Sequence, residues 1–277
     1  MIRIIALLPD ARARNRLAAA IACRERLWHP VLELASGWPK AGVMALASAP
    51  DLLVFDPYAG GSFDGGPILG FTERFPSCVL FGYGTFPRGC AGDVLELSRA
   101  GVHGVATRDM DDLPEALARL LDRTLEHGTL TQAVSLLERR MPPAIRDLLP
   151  GFLFRAHGSF TPSEVARFCH CHPKTLGAHL RHAGLPSLGK LIVWARLIRA
   201  CHLLRGTGRS VESVALVLGF ASANSFRNQL LRYVGIRPTD LRKTGDFRLV
   251  LGRFEDALGP PAGGGREPVP QSVIMYP

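Results

Sequence analysis

Over the first 125 residues, short apolar runs alternate with stretches of helical spacing, and beyond residue 129 the runs cease. Five runs have strand character: Ile2–Leu8, Val31–Leu34, Asp51–Asp56, Cys78–Phe81 and Gly101–Ala106. Between and after them, Arg12–Glu25 places Leu17, Ala20 and Ile21 on one face. Asp111–Leu125 opens with acids and Pro114 and carries Leu113, Leu117, Leu120, Leu121 and Leu125 on one stripe. Strands that alternate with helices require parallel pairing, with helices on both faces of the sheet. Residues 1–128 are therefore expected to form an α/β domain with a five-stranded, doubly wound sheet. The glycine-rich stretch Ala59–Gly66 is a loop after the third strand. Residues 129–158 read as a connecting helical segment, where Leu130, Val134 and Leu137 share a face before Pro142 and Pro143 interrupt. Residues 159–245 read as an all-α domain. Residues 246–277 read as a tail, rich in Pro and Gly and expected to be disordered from about 258.

Charge is distributed unevenly over this plan. Residues 1–150 hold 16 Lys and Arg against 17 Asp and Glu, whereas residues 151–243 hold 14 against 3. A balanced front half and a strongly basic back half point to one domain that meets a polyanion. No apolar run approaches the roughly 18 residues a membrane span needs, and the N-terminal run is too short for a signal peptide. The expected location is the cytoplasm, with no membrane partner. The six cysteines are scattered, so no disulfide framework is expected. Cys169, His170, Cys171 and His172 are consecutive and point in different directions, and no second ligand pair lies at zinc spacing, so no metal and no cofactor is expected.

Residues 160–243 contain an internal repeat at a spacing of about 50 residues. Val165-Ala166 is echoed by Val214-Ala215, Leu176 by Phe226, and Gly184 by Gly235. Each copy places a small alanine where helices cross closely, then a tight turn, then a second helix anchored by an apolar residue. That is the layout of a helix-turn-helix. In the second copy Ser210 starts a helix through Val214, Ala215 and Leu218, Gly219 supplies the turn, and Ser222 or Asn224 caps the next helix. Phe226 and Leu230 pin that helix, which leaves Asn224, Ser225, Asn228 and Arg232 outward and Arg227 on the flank. In the first copy Leu176 and Leu180 face inward, Lys174, Ala178, Arg181 and His182 face outward, and Thr175 and His179 sit at the edges. Arginine can grip guanine, asparagine can grip adenine, and a methyl group can meet thymine. These residues, with Ser222, are the expected contacts to double-stranded DNA.

The same stretch resembles the DNA-binding domain of AraC/XylS-type transcription regulators. The likeness rests on Val214-Ala215-Leu216-Val217-Leu218-Gly219-Phe220, Ser222, Ser225-Phe226-Arg227, Gly235-Ile236-Arg237-Pro238 and Asp240-Leu241-Arg242. Arg196-Leu197, Ala200 and Leu203-Leu204 extend it into the linking helix. It implies seven helices in two units bridged by Leu188–Leu204, with two recognition helices in successive major grooves. This chain departs from the pattern in its first turn, where His170 and His172 replace Gly and Ser, and histidine is a poor substitute for a serine cap.

The front half resembles a response-regulator receiver domain, a flavodoxin-like fold. Asp56 ends the third strand, at the place of the phospho-acceptor. Arg108 follows the fifth strand, where a lysine is usual. Phosphoryl transfer needs a metal held by acids after strand one, yet only Asp10 is offered there, and Phe81-Gly82-Tyr83-Gly84 lacks the expected hydroxyl. The favoured reading is a degenerate receiver that takes no phosphate and serves dimerisation or signal input, through a homodimer, a partner protein or RNA polymerase. The alternatives are a phosphorylation-controlled regulator with Asp56 as acceptor, or a ligand-binding or enzyme-like front domain. An acid that ends a strand also caps the following loop without any phosphorylation. An amidotransferase-like enzyme would need a nucleophilic cysteine at a sharp turn with a histidine partner. Cys78 lies within a strand and Cys90 in a loop without that setting, so no enzyme is expected.

Overall fold

A computed structural model describes residues 2–108, 110–155, 160–206, 209–244 and 247–260. The five apolar runs form β1 (Ile2–Leu7), β2 (Pro30–Leu34), β3 (Leu52–Phe55), β4 (Val79–Gly84) and β5 (Gly104–Thr107). All pairs are parallel, in the order β2-β1-β3-β4-β5. That is the flavodoxin-like order of a doubly wound sheet. The helices of this half are α1 (Ala11–Ala22), α2 (Glu25–Trp28), α3 (Trp38–Ser48), α4 (Gly66–Arg74), α5 (Ala91–Arg99) and α6 (Pro114–Glu138).

Alternate residues of each central strand enter two different cores, as the two-residue period of a strand dictates. Ile4, Leu52, Val54, Val79 and Phe81 pack with Leu17 of α1 and Leu117, Leu121 and Leu125 of α6. Ile5, Leu53, Phe55 and Leu80 pack with Ala41 and Ala45 of α3, Ile68 and Phe71 of α4, and Leu97 of α5. The expected α/β domain is present with helices on both faces.

The remaining helices are α7 (Pro143–Arg146), α8 (Leu149–Arg155), α9 (Pro162–Phe168), α10 (Pro173–His182), α11 (Leu188–Gly206), α12 (Val211–Val217), α13 (Ala223–Val234), α14 (Pro238–Thr244) and α15 (Phe247–Leu258). Three details differ from the sequence-based plan. Helix α6 does not stop near residue 128. It runs to Glu138 because no breaker intervenes before Pro142, and its second half contributes Ala133, Val134 and Leu137 to the C-terminal core. Residues 160–244 hold six described helices, not the seven of the paired-unit plan, and a further helix, α8, lies within the stretch expected as a connector. It is fixed by Phe152 against Phe168 (ring centroids 4.4 Å) and Phe154 against Phe254 (5.7 Å). The stretch expected as a tail begins with an ordered helix, α15, whose Phe247, Val250, Phe254 and Leu258 are buried in the same core. The disorder expected from about 258 falls, beyond Pro260, outside the described residues.

Candidate nucleic-acid interface

The two units of the repeat are built alike. In the first, a capping box opens α9: the Thr161 N–H donates to Glu164 Oε2 (2.6 Å), and the Glu164 N–H donates to Thr161 Oγ1 (3.3 Å). The Thr161 N–H and the Thr161 hydroxyl, which also donates to Oε2 (2.9 Å), hold the Glu164 carboxyl below its usual range. Val165 and Ala166 are buried where α10 crosses. The chain then turns through His170 in the left-handed region (φ +51°), which lets the Cys171 N–H reach back to the Ala166 carbonyl (3.1 Å). The second unit repeats this turn 49 residues later. Gly219 has φ +70°, and the Phe220 N–H reaches the Ala215 carbonyl (2.9 Å).

The second helix of each unit starts on a side-chain cap. Ser222 Oγ accepts from the Ser225 N–H (3.1 Å) at the start of α13. At the start of α10 His172 does the same work, with Nδ1 accepting from the Lys174 N–H (3.2 Å). The sequence-based view that histidine caps poorly is corrected here. Nδ1 is separated from Cα by the same number of bonds as the side-chain oxygen of Asn or Asp, the residues that favour this position. Leu176 and Leu180 bury the inner face of α10, and Phe226, Leu230 and Val234 that of α13. Gly184 (φ +70°) and Gly235 (φ +86°) terminate them. Helix α11 carries both units on its flanks and is buried nearly all round. The Arg196 guanidinium lies over the Phe220 ring (5.7 Å) and ties α11 to the second turn.

The structure brings the expected contact residues onto exposed surfaces of two helices. On α10, Lys174, Thr175, Arg181 and His182 are exposed, and Ala178 and His179 are half-buried. At α13, Ser222, Asn224, Arg227, Asn228 and Arg232 are exposed and Ser225 is half-buried. Some of them already have work. The Ser222 hydroxyl is committed to its cap, and Arg227 pairs with Glu212 of α12 at 2.6 Å. Both partners of that pair are exposed, so the pairing is weak. Arg232, in the last turn of α13, borders a groove shared with Lys190 and Arg253. Sequence reasoning missed those two cations, because nothing local in the chain joins residues 190, 232 and 253.

In the front domain, Asp10, Asp56 and Arg108 meet at the carboxyl edge of the sheet. Arg108 Nη2 donates to Asp56 Oδ2 (2.6 Å) and Nη1 to Asp10 Oδ2. Asp56 is buried, and its other oxygen accepts from the Tyr58 N–H (3.0 Å), so it does cap the following loop. The Arg12 N–H and the Arg108 guanidinium hold the Asp10 carboxyl below its ordinary range. Gly84 lies against Asp56 so closely that a Cβ there would sit 2.5 Å from Oδ1. Tyr83, the nearest hydroxyl on β4, instead donates to Asp112.

Residues 165–244 match a family model described as a helix-turn-helix domain. Residues 165–244 thus form a helix-turn-helix domain. Uncharacterized HTH-type transcriptional regulators of Mycobacterium bovis and Mycobacterium tuberculosis are each 34% identical to the chain over 109 residues, covering 39% of it. The matched stretch spans 31% of each relative, about a third of its length. Among solved structures, an AraC-type regulator from Chromobacterium violaceum overlaps at 22% identity (TM-score 0.30), covering 42% of this chain and 91% of that one. A chemotaxis response regulator of Vibrio cholerae overlaps at 14% identity (TM-score 0.38), covering 45% and 98%. Around the helix-turn-helix domain, no described helix is long and apolar enough to cross a membrane. Nor do three His, Cys, Asp or Glu side chains gather to hold a metal among the described residues.

Proposed function

We propose that the chain is a transcription regulator that binds a promoter element through α10 and α13, each lying in one of two successive major grooves. The observation that carries this reading is the duplicated unit itself: a short helix, a left-handed turn and a capped second helix, both times with a polar or cationic outer face. Asn228 and Arg181 read bases; Lys174 and Arg227 hold phosphates and set register. Replacing Asn228 or Arg181 with Ala should relax preference at particular base pairs, each by about 1–3 kcal/mol, in competition binding against single-base operator variants. Equal weakening on every sequence would contradict those roles.

The front domain, in the same proposal, serves dimerisation or a partner contact and is not phosphorylated. Arg108 bridges the two acids that would otherwise share a divalent cation, and a rigid guanidinium fork does not act as the mobile point charge of a lysine. Incubation with a small phosphodonor and Mg²⁺ should leave the intact mass unchanged. Addition of one phosphoryl group, lost in Asp56→Asn, would restore the phosphorylation-controlled alternative.

A further inference from the structure

Between the two helix-turn-helix units runs a groove of about 610 Å³, within the size range of small-molecule sites. Its cations come from three elements: Lys190 of α11, Arg232 of α13 and Arg253 of α15. A single carboxylate, Asp256, lies among them, 3.9 Å from Arg253. Neither Lys190 nor Arg232 meets a carboxylate among the described residues. Trp194 and Tyr233 form the apolar wall, edge to face with ring centroids 5.4 Å apart.

Three cations line this groove against one carboxylate, and a bound anion would offset their excess positive charge. Guanidinium forks match the oxygen geometry of phosphate, and a lysine adds a compact charge. The groove is formed by the C-terminal end of α13 and the turn after α10. Lys190 on α11 and Arg253 on α15 stand outside α10 and α13, the two helices proposed to read bases. We propose that it is a site for a small phosphate-bearing anion, which would tie α11, α13 and α15 together and so set the angle between the two units.

The test uses full-length protein and inorganic pyrophosphate, titrated calorimetrically at fixed ionic strength in the absence of DNA. The wild type should bind, and Lys190→Gln combined with Arg253→Gln should bind at least tenfold more weakly while unfolding at the same temperature. Absence of binding, or equal binding by the variant, would overturn the proposal. A second arm measures the salt dependence of duplex binding. The variant should keep the wild-type slope. A slope smaller by about 2 would mean that these cations hold DNA backbone phosphates instead, and would also overturn it. Because pyrophosphate is read without DNA, its failure is distinguishable from a failure of DNA binding.

Discussion

His170 and His172 show how far one residue's chemistry can stand in for another's. The turn of the first unit demands a left-handed residue, and where the second unit has Gly219 the first has His170, at φ +51°. A side chain in that region costs roughly 1 kcal/mol or more that glycine does not incur, partly offset by the greater freedom of glycine in the unfolded chain. His170→Gly is therefore expected to stabilise the protein by about 0.5–1 kcal/mol in urea denaturation. A loss of stability would mean that the imidazole makes contacts worth more than the strain. His172, by contrast, contributes a cap, and its geometry was implicit in the sequence once Nδ1 is compared with the oxygen of Asn. Asp10, Asp56 and Arg108 were each legible as unusual residues at strand ends. That Arg108 forks between both acids was not legible, because it depends on how the ends of β1, β3 and β5 converge.

At the scale of elements, α6 packs closely on the β4–β5 edge of the sheet. A Cβ on Gly128 would meet Val79 Cγ2 at 2.6 Å, and a Cβ on Gly104 would meet Thr124 Oγ1 at 2.2 Å, so both glycines are needed for the approach. His103 is trapped beside this contact, and its Nδ1 accepts from the Leu80 N–H (3.2 Å). Burial, with His127 nearby, pushes the His103 imidazole down from 6.5 to about 4. The folded state thus resists a proton that the unfolded chain accepts. Stability should be complete above about pH 6.5 and fall as the pH drops toward about 4, by roughly 2–3 kcal/mol from this group. His103→Gln should flatten that part of the pH profile in chemical denaturation; an unchanged slope would place its source elsewhere. The central strands were readable because burial on both faces demands unbroken apolar runs, and α1 because Leu17, Ala20 and Ile21 recur on one face. The extent of α6 was not, since Gly128 looks like an end until its close neighbours are known. Helix α15 carries a plain stripe at residues 247, 250, 254 and 258, and the Pro- and Gly-rich composition just after it obscured the signal.

Across the whole molecule, the halves that charge separates are joined mechanically. Helix α6 belongs to both cores. Arg140, just past its end, donates to the Gly259 carbonyl (3.0 Å) and pairs with Glu255 at 3.4 Å. Arg248 of α15 donates to the Pro50 carbonyl and lies 3.6 Å from Asp51 at the start of β3. The basic balance of residues 151–243 and the repeat within them support the proposal that this half meets DNA, but the joining contacts depend on tertiary packing that no local pattern encodes. The account's central claim is that both units read sequence. Selection of bound sites from a random duplex library, with full-length protein at near-physiological salt, tests it most directly. The account predicts a motif of two short elements about one helical turn apart. Strongly salt-dependent binding to all duplexes, with no motif enriched, would contradict it and reduce the C-terminal half to an electrostatic surface.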